Sequence, residues 1–163
     1  MNWPRGALLP ADPPPGAGHQ LALEGSRDPD DLVALVARME EFLGDAGCPP
    51  GPLTQLLIVA EEVLTNVARN AWPAGADPGV FLLRIGATPL EGRLSVTIEV
   101  EDDGTPFDPT ALPPPDIDAA LEDREVGGLG VHFMRAMTDS QAYLRSEGRN
   151  RLTLRKDCGP IAS

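Results

Sequence analysis

Between Cys48-Pro-Pro-Gly-Pro52 and Pro73, the residues Leu53, Leu56, Leu57, Ala60, Val63, Leu64, Val67 and Ala71 recur at helical spacing. A segment so patterned forms an α-helix from about residue 53 to Trp72 and needs an apolar surface to cover one whole side. Pro73 and Gly75 end it. The covering surface is legible further on: Val80–Ile85 and Leu94–Val100 read as two strands joined by a Pro/Gly turn around Pro89 and Gly92, an antiparallel hairpin. Asp28-Pro-Asp-Asp31 supplies acidic capping residues to a second helix through Leu32, Leu35, Val36, Met39 and Leu43, ending near Gly44. His19–Glu24 alternates weakly, as a first edge strand does. Gly127-Gly-Leu-Gly130 opens a third helix through Met137, and Gln141–Ser146 with Arg151–Leu154 makes a closing hairpin about Gly148. The expected fold is an α/β two-layer sandwich, a mixed and mainly antiparallel sheet of about five strands with helices on one face.

Length and composition set the boundaries. With 163 residues the chain holds one domain of ordinary size, expected over 17–156. Residues 1–16 contain five prolines and read as a flexible tail; 157–163 read as a C-terminal tail. Residues 104–128 contain five more prolines, with a helical hint only at Ile117–Leu121, and read as a long functional loop.

Charge excludes several functions. Thirteen Lys and Arg against 25 Asp and Glu give a net charge of −12, whereas nucleic-acid affinity rests on clustered cations. The one lysine, Lys156, leaves no candidate for a phosphate-loop Gly-Lys-Ser/Thr or a strand lysine on ATP phosphates. Cys48 and Cys158 stand 110 positions apart and His19 and His132 are the only histidines, so no zinc site is expected. The start MNWPRGALLP lacks the cationic region and long apolar core of an export signal, and no apolar run approaches the roughly 20 residues of a membrane helix. A cytoplasmic location with reduced thiols follows as an expectation.

Candidate chemistry lies in three places. On the long helix, Glu62 lies about 180° from Leu53 and only ~40° from Asn66, so the pair shares a polar face with Arg69 while Glu61 projects elsewhere; a solvated helix face has the same pattern. Leu94, Val96, Ile98, Val100 and Asp102 are alternate residues, which carries the Asp102 carboxylate to the end of a buried apolar row where it needs a partner. A ligand amino group is one such partner, with Gly104 allowing close approach; a plain Asp-Asp-Gly turn is the alternative. Gly127–Gly130 offers free backbone N–H groups and a positive dipole end to phosphate oxygens, or serves as a hinge.

In order along the chain, these residues resemble a known family. Glu62-Val-Leu-Thr-Asn66 with Ala71-Trp72 resembles the N-box of GHKL-type ATPases, Val100–Asp108 their G1 box, Gly127–Met134 their G2 box, and Gly148-Arg-Asn-Arg-Leu-Thr-Leu154 their closing strand motif. The likeness covers about residues 19–156. It implies the Bergerat ATP-binding fold of histidine-kinase-like ATPases. Short length and a glutamate four residues before the asparagine make the chain similar to the bacterial anti-sigma factors that are also serine-protein kinases of partner-switching systems.

That resemblance implies ATP and Mg²⁺ as cofactors, with Asn66 on the metal and Glu62 as the general base. Asp102 would accept from the adenine amino group, Gly104 would let the base pack closely, and Thr153 would reach the same pocket. Gly128, Leu129, Gly130 and Val131 would lie against the phosphates, Arg69 and Asn70 near them, and Thr105–Val126 would close as a lid. The implied partners are an alternative sigma factor and a STAS-type anti-sigma factor antagonist, with a homodimer by analogy and no direct nucleic acid or membrane contact. Pro106 departs from the pattern, standing where a second glycine is usual and donating no N–H. Two other readings compete: a non-catalytic nucleotide-gated binding module of the same fold, and an acid/base hydrolase using Glu62 and Asp102.

Overall fold

Two tight turns set the register of the sheet. Glu91 and Gly92 have φ of 53° and 78°, and Glu147 and Gly148 have φ of 53° and 75°, the paired positive values of the two-residue turns that match strand twist. They join β2 (Phe81–Leu90) to β3 (Arg93–Asp102) and β4 (Ser140–Ser146) to β5 (Arg149–Pro160). In the computed structural model, which describes residues 18–75, 79–111 and 128–162, β1 (His19–Gly25) completes a five-stranded sheet of order β1-β2-β3-β5-β4. Every pairing is antiparallel, so the sheet is wholly antiparallel rather than mixed. Pro89 lies within β2 opposite Leu94 instead of in the turn.

The helices are α1 (Pro29–Asp45), α2 (Pro50–Asn70) and α3 (Gly128–Met137), with a short 3₁₀ turn at Pro109–Ala111. Asp28 caps α1 by accepting from the Asp30 N–H at 2.9 Å. Leu35, Met39 and Leu43 of α1 and Leu56, Val59, Ala60 and Leu64 of α2 pack with Leu83, Ile85, Val96, Ile98 and Leu154 in one core. Each of the Leu, Ile, Val and Met side chains contributes about 2 kcal/mol by leaving water. The predicted elements are present, and β5 runs on to Pro160, so ordered strand extends beyond the expected boundary at 156. The predicted tail 1–16, the Ile117–Leu121 hint and the lid from residue 112 to Val126 lie outside the described residues.

The opposite face of the sheet carries charge. Glu101 is 3% exposed there, with Arg84 Nη1 at 3.2 Å, Arg151 Nη2 at 3.3 Å and Arg149 Nη1 at 3.4 Å from its carboxylate. Glu99 joins the cluster through Arg84 and Arg151.

Candidate functional site

The row of alternate residues along β3 does continue to Asp102. Leu94, Val96, Ile98 and Val100 are buried on the helix side, and Asp102, the last residue of the strand, is 5% exposed. Its neighbour Glu101 belongs to the other face, as a period of two demands. Across the ladder Asp102 pairs with Asn150, the second residue of β5 and 6% exposed.

Asn150 connects this corner. Its Nδ2 donates to Asp102 Oδ1 at 3.0 Å and to the Thr105 carbonyl at 2.8 Å. Its Oδ1 accepts from the Tyr143 hydroxyl and from the Phe107 N–H at 3.4 Å. The Gly104 N–H also donates to Asp102 Oδ1, at 2.9 Å, and Arg145 Nη1 donates to the Gly104 carbonyl at 2.8 Å. The end of α2 is tied to the same turn: Thr105 N–H donates to the Ala71 carbonyl at 2.6 Å, and Trp72 Nε1 donates to Asp103 Oδ1 at 2.9 Å. A Cβ at Gly104 would overlap the Ala71 carbonyl oxygen, so glycine is required by the approach of α2 to this turn.

Both donors to Asp102 use Oδ1. Among the described residues no sealed side-chain oxygen lacks a partner, so Oδ2 is not sealed, and Asp102 is one of the residues that line the adjoining cleft. Burial pushes the Asp102 pKa up, with hydrogen bonds from Asn150 and Gly104 and the Arg145 charge opposing, and the neighbouring Asp103 charge adding to the rise. The cleft, of about 180 Å³, lies between α2, α3 and the sheet; its walls include Val63, Asn66, Val67 and Asn70 of α2, Val131 and Met134 of α3, and Pro106, Phe107, Tyr143 and Leu152. Mainly apolar walls with a carboxylate among them suit an apolar ring bearing an amino group.

Of the residues singled out in the sequence, Asn66, Asn70, Asp102 and Val131 meet on this cleft. Glu62 is one helical turn before Asn66, half-buried, with no hydrogen-bond partner among the described residues. Gly128, Leu129 and Gly130 form the first turn of α3, directly before the cleft-lining Val131. Gly104 supports the cleft from behind rather than lining it.

Two of the residues named from the sequence stand away from the walls of this cleft. Arg69 lines a groove between α1 and α2 with Arg27, Glu61 and Thr65 and is not among the residues that wall the cleft. Thr153 pairs with Glu99 and lies on the arginine-bearing face, one step out of phase with the cleft-lining Asn150 and Leu152. Asn150 and Tyr143 take the place beside Asp102 expected for Thr153. The signal for Asn150 was its position two residues before the apolar row Leu152, Leu154.

An antiparallel sheet covered on one side by helices, with the cleft between the helices and the ends of β3 and β5, defines the class: an α/β sandwich of the GHKL-like ATPase fold. The family follows from the chain itself. Residues 25–156 match the model of the histidine kinase-like ATPase domain, and the protein belongs to that family. It is 30% identical over 105 residues, 64% of this chain and 70% of the relative, to the serine/threonine-protein kinase BtrW of Bordetella bronchiseptica. A chain in the crystal structure of the SiaB–SiaC complex from Pseudomonas aeruginosa has the same fold, with a TM-score of 0.53 at 15% identity over 84% of this chain and 89% of that one. Among the described residues no helix is long and apolar enough to cross a membrane.

Proposed function

We propose that the protein is an ATP-dependent anti-sigma factor with serine/threonine-protein kinase activity, which binds an alternative sigma factor and phosphorylates a STAS-type antagonist. The observation that carries this reading is Asp102, its Oδ2 not sealed, among the mainly apolar walls of a cleft whose helical side bears Asn66. Membership of an ATPase-domain family and likeness to a relative named a serine/threonine kinase support it.

The residues present fit the cofactors. Asp102 Oδ2 would accept from the adenine amino group while Val100, Val131, Met134 and Leu152 exclude water from the ring. Among the described residues no cluster of three His, Cys, Asp or Glu side chains could cage a metal; the amide oxygen of Asn66 suits Mg²⁺, which keeps waters and phosphate oxygens as its other ligands. Bound Mg²⁺ neutralises phosphate charge. Backbone N–H groups at the start of α3, Gly128–Gly130, would receive phosphate oxygens without any lysine. Glu62 would take the proton from the incoming hydroxyl, one helical turn from the metal-binding amide.

The test is phosphotransfer from labelled Mg-ATP to the antagonist. Glu62→Gln should lower the rate by roughly 10²–10⁴-fold with ATP affinity retained; transfer at the wild-type rate removes Glu62 as base. Pro106, which lines the cleft and has no N–H to offer, favours a second reading, a nucleotide-gated binding module. Tight ATP binding with no label on the antagonist decides for the module.

A further inference from the structure

The only two cysteines of the chain have converged from 110 residues apart. Cys48 lies in the loop between α1 and α2, and Cys158 near the end of β5, on the core side. Both are free thiols, 5% and 3% exposed, in the same core cluster; the Cys158 S–H donates to the Lys156 carbonyl at 3.9 Å, and each thiol lies within electrostatic reach of the other. The backbone shows the same proximity independently: Ala162 N–H donates to the Gly47 carbonyl at 2.9 Å, and a Cβ at Gly47 would strike the Ile161 side chain at 2.6 Å. Core packing alone calls for two small apolar side chains here, with no need for both to be thiols.

We propose that Cys48 and Cys158 form a redox-active dithiol, which a small-molecule disulfide such as oxidised glutathione converts to an intramolecular disulfide stapling the α1–α2 loop to β5. This site lies at the far end of the sheet from the cleft. Cys158 is eight residues along β5 from Asn150, about 26 Å in extended chain, so it adds to the proposed kinase activity without borrowing any residue from it.

The chemistry balances as two successive exchanges. Cys48 is the entering nucleophile: burial raises its pKa, but the neighbouring Cys158 and Lys156 oppose the rise, whereas Cys158 is pushed up to about 12 by burial and by Cys48 itself. Deprotonated Cys48 attacks one sulfur of the oxidant, the oxidant's S–S bond breaks, and one small thiol leaves, taking up the proton. Cys158 then loses its proton and attacks Cys48 Sγ in the mixed disulfide, releasing the second small thiol. Two electrons pass from the protein to the oxidant and two protons to the released thiols. Access is through the Ile161–Ala162 segment, whose backbone N–H groups bond to Gly92 and Gly47, so oxidation is slow and follows local opening.

The test uses the full native chain incubated with oxidised glutathione, quenched with an alkylating agent, and examined by intact mass, peptide mapping and thermal melting. The expected product is a monomer lighter by two hydrogens with a Cys48–Cys158 link, melting about 5–10 °C higher and returned to the starting state by dithiothreitol. Cys158→Ser should instead stop at a glutathione adduct on Cys48. Two alkylatable thiols after full exposure, glutathione retained by the wild-type chain as the end product, cross-linked chains, or a linked form that melts no higher would each overturn the proposal.

Discussion

Asp102 is placed for a ligand at a cost to the free protein. Its carboxyl is buried, its pKa is raised chiefly by that burial, and one oxygen has no partner among the described residues. A raised carboxyl pKa means that the fold favours the protonated form. Its contribution to stability is therefore complete below the ordinary carboxylate range and is lost as pH climbs through the raised value. Asp102→Asn keeps an oxygen for Asn150 and Gly104 but presents an amide donor to the cleft. It should weaken ATP binding by roughly 10–100-fold in calorimetry, while leaving the melting temperature at neutral pH equal or higher and flattening its pH dependence. Thr153→Ala, measured alongside, should leave affinity unchanged because that side chain belongs to the other face of the sheet; a comparable loss would return Thr153 to the site. At this scale Asp102 was legible from strict alternation over five positions, whereas Thr153 was placed by motif likeness, and the same period of two that located Asp102 puts Thr153 on the other face of the sheet.

Among the elements, the contact between α2 and the turn after β3 holds the cleft open. Ala71 accepts from Thr105, Trp72 donates to Asp103, and Gly104 lets the two backbones meet. Gly104→Ala forces the helix end away from the turn, so it should destabilise the protein by about 2–3 kcal/mol and weaken nucleotide binding together with stability. A normal melting temperature in that variant would show that the helix end is freely movable. The elements themselves were readable because each carries a clear period: α2 by its apolar stripe, β3 by alternation, α3 by its glycine-rich start. Less was readable of their ends. Nothing local in Thr88-Pro-Leu-Glu-Gly says that Pro89 stays in the strand; the register with Leu94 decides it. The place of Arg69 beside α1 is likewise a tertiary outcome, since α1 and α2 enclose a groove that single-helix geometry does not contain.

For the molecule as a whole, a net charge of −12 coexists with a sheet face where arginines predominate. Arg84, Arg149 and Arg151 surround Glu101 and tie β2, β3 and β5 together behind the cleft. Glu101→Gln leaves these cations facing a neutral amide and should cost about 2 kcal/mol, the value for a buried carboxylate whose partners are partly solvated. Circular dichroism melts should show a fall of roughly 4–8 °C, and ATP affinity in the same variant should be unchanged because its side chain is on the opposite face. A variant that melts normally would make the cluster a bystander.

Glu101 and Asp102 are consecutive residues with incompatible surroundings, one wired to cations and the next to a cleft. Inserting one residue between Gly92 and Val100 would carry Glu101 to the cleft position and Val100 beneath the guanidinium groups, and deleting one would carry Asp102 beneath the guanidinium groups and Asp103 to the cleft position. The hairpin is thus frozen in length, and viable drift in this stretch must proceed by replacement alone.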